Sequence, residues 1–112
     1  MAYGYYSEVY FAVDLNNYKR IKIGETTNAR RRNAQLDVYI TQCIEVGGNH
    51  TYRLLIESLL REKIARMPKV TQAGTDYFIC EDTDTVNFIQ NEFENWVKHF
   101  QKSIEKVLTD KE

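Results

Sequence analysis

Proline is nearly missing from this chain of 112 residues, with Pro68 its single example, and glycine occurs only five times. No stretch is rich in Pro, Gly or Ser and nothing repeats, so the sequence offers no flexible linker. It reads as a single domain over 1–112, long enough to bury one core. Cysteine is equally sparse. Cys43 and Cys80 sit on separate apolar-patterned segments without metal-type spacing, which favours buried thiols in a reducing compartment over a disulfide. No run approaches ~20 apolar residues, and Met1 to Tyr6 lacks the basic start and apolar stretch of a secretory leader. The expectation is a soluble, cytoplasmic protein with no membrane partner.

An excess of charge of one sign is missing too. The net charge of −1 argues against a strong, diffuse binder of nucleic acid, but the average hides an asymmetry. Residues 1–36 carry six Lys/Arg against three acids, whereas 76–112 carry four Lys against nine acids. A basic first third and an acidic C-terminal segment suggest one face offered to an anion and another turned away from it, although charged residues can equally serve only to solvate a surface.

What is present is a clear alternation of patterns. Glu8 to Val13 alternates around Val9, Phe11 and Val13, Asn16 to Lys19 supplies turn chemistry, and Arg20 to Gly24 resumes the strand, which predicts a β-hairpin. Thr27 or Asn28 can cap a helix running to about Tyr39, and Ile40 to Val46 reads as a third strand ended by Gly47-Gly48. From about Thr51 to Met67, Tyr52, Leu55, Ile56, Leu59, Leu60, Ile64 and Met67 recur at helical spacing until Pro68 stops the run. Asp76 to Cys80 is a short strand at the edge of the sheet or near it. A last helix over about 83–108 carries Val86, Ile89, Phe93, Trp96, Val97, Phe100, Ile104 and Leu108 on one stripe, with Asp82 and Asp84 well placed at its positive start. At ~1.5 Å per residue it reaches roughly 35 Å, so either it wraps across its own sheet or part of it overhangs and meets a second copy in a homodimer.

Four positions fit poorly with a purely structural role. Arg32 shares a helical face with Ala29 and Leu36, so its guanidinium points toward the sheet or along its edge. Glu57 borders the apolar stripe of its helix, where a half-buried carboxylate is costly unless paired or bound to a metal. Tyr10 and Lys22 lie on the two hairpin strands and can project toward one place. Each also has a plain reading: Tyr10 as packing, Lys22 as an edge guard, and Arg32 as the ion-pair partner of Glu57.

Val9-Tyr10-Phe11 followed by Ile21-Lys22-Ile23-Gly24 resembles the paired motif of the GIY-YIG nuclease superfamily, in the branch whose second motif carries lysine. Eight residues past Gly24 stands Arg32, where these nucleases carry a helix-borne arginine, with Gln35-Leu36 continuing the pattern. Glu57-Ser58-Leu59-Leu60 is similar to the helix that bears the family's single metal-binding glutamate, with Arg61 where a histidine is common. Gly74-Thr75-Asp76-Tyr77-Phe78 is similar to the segment that closes the branch's core. The resemblance covers about residues 9–80. It implies an α/β chain of the α+β type, with a small central antiparallel three-stranded sheet flanked by helices and the long C-terminal helix added.

The resemblance further implies metal-dependent hydrolysis of a DNA phosphodiester, with RNA as a further candidate substrate. Glu57 would hold one Mg²⁺ or Mn²⁺ with water completing the shell, and the ion would stabilise the leaving oxygen. Arg32 would grip the non-bridging oxygens. Tyr10 would take the proton of the attacking water, and Lys22 would favour its ionised form or orient the water. Arg20, Arg30 and Arg31 would hold neighbouring phosphates, while Thr27 and Asn28, with Thr26, would offer hydroxyls and an amide. His50 belongs either to the site or merely to the start of its helix. Asn87 and Asn91 lack the context of the family's late asparagine and inherit no role. Two rival readings stay open: a nucleic-acid-binding module that keeps the scaffold without turnover, and an interaction protein whose long helix is the working surface.

Overall fold

The computed structural model describes residues 7–27 and 37–110. Strand β1 (Glu8–Asp14) turns through Leu15 and Asn16 into β2 (Asn17–Thr26), and β3 (Val38–Glu45) pairs with the other edge of β1. Helix α1 (His50–Ala65), strands β4 (Val70–Gln72) and β5 (Tyr77–Cys80), and helix α2 (Thr83–Asp110) complete the order. The sheet has five strands in the order β3-β1-β2-β5-β4, all antiparallel. This corrects the expected three. Of the two additional strands, β5 is the short strand expected at Asp76–Cys80, now joined to the sheet, and β4, three residues long, is too short to show an alternation of its own in the sequence. The Asp76–Cys80 segment is also not the edge, because β5 lies between β2 and β4.

The hairpin turn is set by Asp14, whose Oδ1 accepts from the Asn16 N–H at 2.8 Å and closes a tight Asx turn. Alternation along β1 and β2 then sends Val9, Phe11, Ile21 and Ile23 to one face, where they meet Ile56, Leu60 and Ile64 of α1 and Val86, Ile89, Phe93 and Val97 of α2. Tyr10, Ala12 and Val38 form a second buried cluster on the opposite face, with Ile40, Cys43 and Tyr77 packed on it. A bulge makes this possible. Tyr10 pairs with Cys43 but Ala12 pairs with Ile40, so one extra residue in β3 brings Ile40 and Cys43 to the same side and sends Thr41 to α2, where its hydroxyl donates to Gln90 Oε1 at 2.8 Å.

The helix expected to run from Thr27 or Asn28 to about Tyr39 lies mostly outside the described residues, but its end is corrected. Val38 and Tyr39 already belong to β3, as their β-branched and aromatic side chains allow. Gly47 and Gly48, both at positive φ, end that segment. Asn49 caps α1 by accepting the Tyr52 N–H. Asp82 caps α2, accepting both the N–H and the hydroxyl of Thr85, and these bonds hold its carboxyl below the usual carboxylate range.

At ~1.5 Å per residue, α2 is about 42 Å long. Its stripe is buried from Val86 to Val97 and half-buried at Trp96, Phe100 and Ile104, with Gln101 donating to the Val46 carbonyl. The helix therefore lies across its own sheet for most of its length, and only the last turn, with Val107 and Leu108 exposed, extends past it. Among the described residues, no helix is long and apolar enough to cross a membrane.

Candidate functional site

The site starts from a close approach of two strands. Tyr10 and Gly24 are cross-strand partners, and the phenol ring lies over the glycine so tightly that a Cβ there would come within 2.4 Å of Tyr10 Cζ. The ring thereby reaches along β2, and Lys22, two residues back on the same face, donates from Nζ to the Tyr10 hydroxyl at 2.8 Å. Both side chains are buried. An ammonium in this position needs more than one acceptor, and Asp76 Oδ2 stands 3.8 Å from it. Asp76 is held there because its carbonyl accepts the Ile23 N–H, extending the pairing of β2 with β5 by one bond.

From Asp76 the polar groups continue onto α1. Arg61 places Nη1 3.6 Å from Asp76 Oδ1 and Nε 3.2 Å from Glu57 Oε1. Glu57 is buried despite its charge. Burial raises its carboxyl above the ordinary value, Arg61 draws it back, Asp76 and Glu25 raise it further, and Lys22 opposes them. Beyond Glu57, Glu25 accepts from Arg53 Nε at 2.9 Å and lies 3.3 Å from His50 Nε2, and Arg53 Nη1 donates to Ser7 Oγ at 2.8 Å.

The result is a line of charged groups along the outer end of β2, in which the acids Glu57 and Glu25 repel each other. β5 stops beside Lys22, which leaves Gly24 to Thr26 open on that side for α1. His50, Arg53, Glu57 and Arg61 follow one another at helical spacings of three and four, so one ridge of α1 carries them all.

Of the expected site residues, Tyr10 and Lys22 are in direct contact, and Glu57 is linked to them through Asp76 and Arg61. Arg32, Arg30, Arg31 and Asn28 lie outside the described residues. Arg20 shares the face of Lys22 but is engaged with Asp14 at 2.9 Å and stacks 3.8 Å above the Tyr77 ring. Thr27 is exposed just past the end of β2, and Thr26 beside it is buried. His50 joins the chain of charges at its far end. Asn87 and Asn91 are exposed on α2. Sequence reasoning passed over Glu25 and Arg53. The spacing of charges along α1 was the available signal for Arg53, whereas Glu25 becomes visible only once β2 and α1 are docked.

Carboxylates suit a hard divalent ion, and Glu57 and Asp76 are the residues here that could contribute to holding one. Glu57 is buried, Asp76 and Glu25 add a negative field that opposes its ionisation, and the Thr75 carbonyl accepts from Arg61. Among the described residues no three His, Cys, Asp or Glu side chains form a ready-made cage, so water would supply most of the shell. The place between Glu57 and Asp76 is filled by the Arg61 guanidinium. A groove of about 640 Å³ between α1 and α2, lined by Leu59, Met67, Phe88, Trp96 and Phe100 among others, shares no residue with this chain of charges.

No family model, no curated protein and no solved structure matches this chain.

Proposed function

We propose that the protein is a divalent-metal-dependent DNA endonuclease that hydrolyses a phosphodiester in the GIY-YIG manner. The observation that carries this reading is the hydrogen bond from the buried Lys22 ammonium to the Tyr10 hydroxyl, in electrostatic reach of the buried Glu57 carboxylate. The Lys22 ammonium is already aimed at the oxygen where negative charge would reside, and this donor would have to outweigh the burial of the phenol, which opposes ionisation. Tyr10 in its phenolate form would take the proton of a water as the water oxygen attacks phosphorus, and the bond to the leaving oxygen breaks. Lys22 holds the phenol oxygen in place and balances its charge.

Glu57 would hold one Mg²⁺ or Mn²⁺, which when bound supplies stabilisation of the leaving oxygen. Arg32 is assigned to the non-bridging oxygens, and Arg20, Arg30, Arg31, Thr27 and Asn28 to neighbouring phosphates of the DNA. For Arg20 this requires release from Asp14. The acidic α2 would be turned away from the duplex, since like charge within a Debye length of the backbone weakens binding.

The test is incubation of purified protein with supercoiled plasmid and Mg²⁺ or Mn²⁺, beside Glu57→Ala and Tyr10→Phe. The expected result is metal-dependent nicking by the wild type that disappears in both variants. Equal nicking by all three proteins, or none by any, overturns the proposal.

One observation favours a second reading. Arg61 already neutralises Glu57, which is what a phosphate-binding module without turnover would retain. That module binds DNA or RNA with a steep salt dependence and cleaves neither.

A further inference from the structure

Arg61 is an unusual occupant. Its guanidinium spans two carboxylates on different elements, Glu57 of α1 and Asp76 of the loop leading into β5. Yet the fit is poor. Arginine satisfies a carboxylate best as a fork, with two parallel N–H bonds. Here Nε stands 3.2 Å from Glu57 Oε1 without the alignment of a hydrogen bond, and it is a buried nitrogen with no hydrogen-bond partner. A buried donor left in that state is a weak point of the contact. The remaining contacts are long and lie at the surface: Nη1 donates to the Thr75 carbonyl at 3.3 Å and Nη2 to Ser58 Oγ at 3.2 Å.

The two sides of this contact differ in exposure. Glu57 is fixed, with a side chain only 9% exposed on the buried face of α1, whereas the Arg61 side chain is 23% exposed and can turn into solvent from the flank of the helix. Withdrawal of the guanidinium would leave the Glu57 and Asp76 carboxylates and the Thr75 carbonyl facing the vacated place, with Glu25 adding negative field and the Lys22 ammonium, 3.8 Å from Asp76 Oδ2, opposing it. Such a set of hard oxygen donors attracts a divalent cation more strongly than a single glutamate.

We infer that Arg61 is a resident internal cation, that a divalent metal must displace it to bind at Glu57, and that Asp76 then becomes the second carboxylate of the site. The inference rests on the proposed site and deepens it. Apparent metal affinity is the intrinsic affinity multiplied by the fraction of molecules with the guanidinium withdrawn, so the wild type binds metal more weakly than its donors alone would allow.

The experiment is Mn²⁺ binding by the full chain at pH 8, followed by loss of the free-ion electron paramagnetic resonance signal, without nucleic acid. Arg61→Ala and Arg61→Gln are each expected to bind Mn²⁺ at least ten-fold more tightly than the wild type, and Asp76→Asn placed on Arg61→Ala should remove most of that gain. Helix content and the urea midpoint of each variant confirm that it is folded. Arg61 variants that bind no more tightly than the wild type overturn the inference, as does a gain that survives Asp76→Asn in full. The nuclease proposal fails separately. Tighter Mn²⁺ binding without plasmid nicking sinks that proposal and leaves the inference standing, while nicking by a wild type whose affinity is indifferent to Arg61 does the reverse.

Discussion

The ring of Tyr10 rests directly on the backbone of Gly24, with Cζ and the hydroxyl each 2.4 Å from where a β-carbon would be. Glycine at this position is thus a packing requirement, since only a residue without a side chain lets the phenol lie flat along β2 and reach Lys22. Gly24→Ala forces the ring, the strand or both to move, and overpacking of this kind costs about 1–3 kcal/mol. The loss should appear as a lower urea midpoint with an unchanged slope. Adding Tyr10→Ala should restore part of it, so that the two substitutions are non-additive as directly contacting residues are. Strict additivity would show that the close approach does not govern this corner of the sheet.

Glu57 should weaken the fold at neutral pH. Its carboxyl is raised from the ordinary value of 4.5, chiefly by burial. Between 4.5 and the raised value the native state keeps a proton that the unfolded chain has released, so stability falls as pH rises through that window. Glu57→Gln lacks this titration. Urea denaturation at a series of pH values should therefore show the variant gaining on the wild type as pH rises above about 4.5. Parallel curves would mean that Arg61 cancels the burial completely.

Neither cysteine should behave as a reactive thiol. Burial pushes Cys43 up to about 12, with Glu8 adding to it, and burial with Asp82 pushes Cys80 up to about 11. At pH 8 both are protonated, and the thiol form is a poor nucleophile. Labelling by a disulfide reagent should be slow in buffer and rapid for both in denaturant. Rapid modification of one thiol in the native protein would place it in a more open setting than the sheet provides.

The last turn of α2 should be dispensable for folding. Val107 and Leu108 are exposed, whereas Phe93 is fully buried and packs 6.0 Å from the Phe11 ring. Leu108→Asp should change stability by no more than about 0.5 kcal/mol, and Phe93→Ala should cost about 3–5 kcal/mol. Sedimentation velocity at micromolar concentration adds the test of self-association. A wild-type dimer that Leu108→Asp dissolves puts a second copy on this turn, and monomer in both shows that the helix is occupied by its own sheet.

Much of the scaffold was legible because its signals are local. Period-two alternation around Val9 and Phe11, helical recurrence through Ile56, Leu60 and Ile64, and the stripe from Val86 to Ile104 each follow from which residues must leave water together. Pro68 and the Gly47-Gly48 pair mark boundaries because they restrict or free the backbone on their own. The strand over 77–80 was expected, but β4 escaped because a strand of three residues has no period to detect and acquires its identity from the neighbour it pairs with.

Local chemistry thus determined the hairpin, both described helices and the candidacy of Tyr10, Lys22 and Glu57, since each depends on residues close together along the chain. Tertiary structure decided which charges meet. Asp76 came to Lys22 when β5 paired with β2, and Glu25 came to Arg53 and His50, and Asp76 to Arg61, when α1 docked beside the open end of β2. Electrostatic pairing depends on distance in space, and that distance is set by how the sheet and the helix pack.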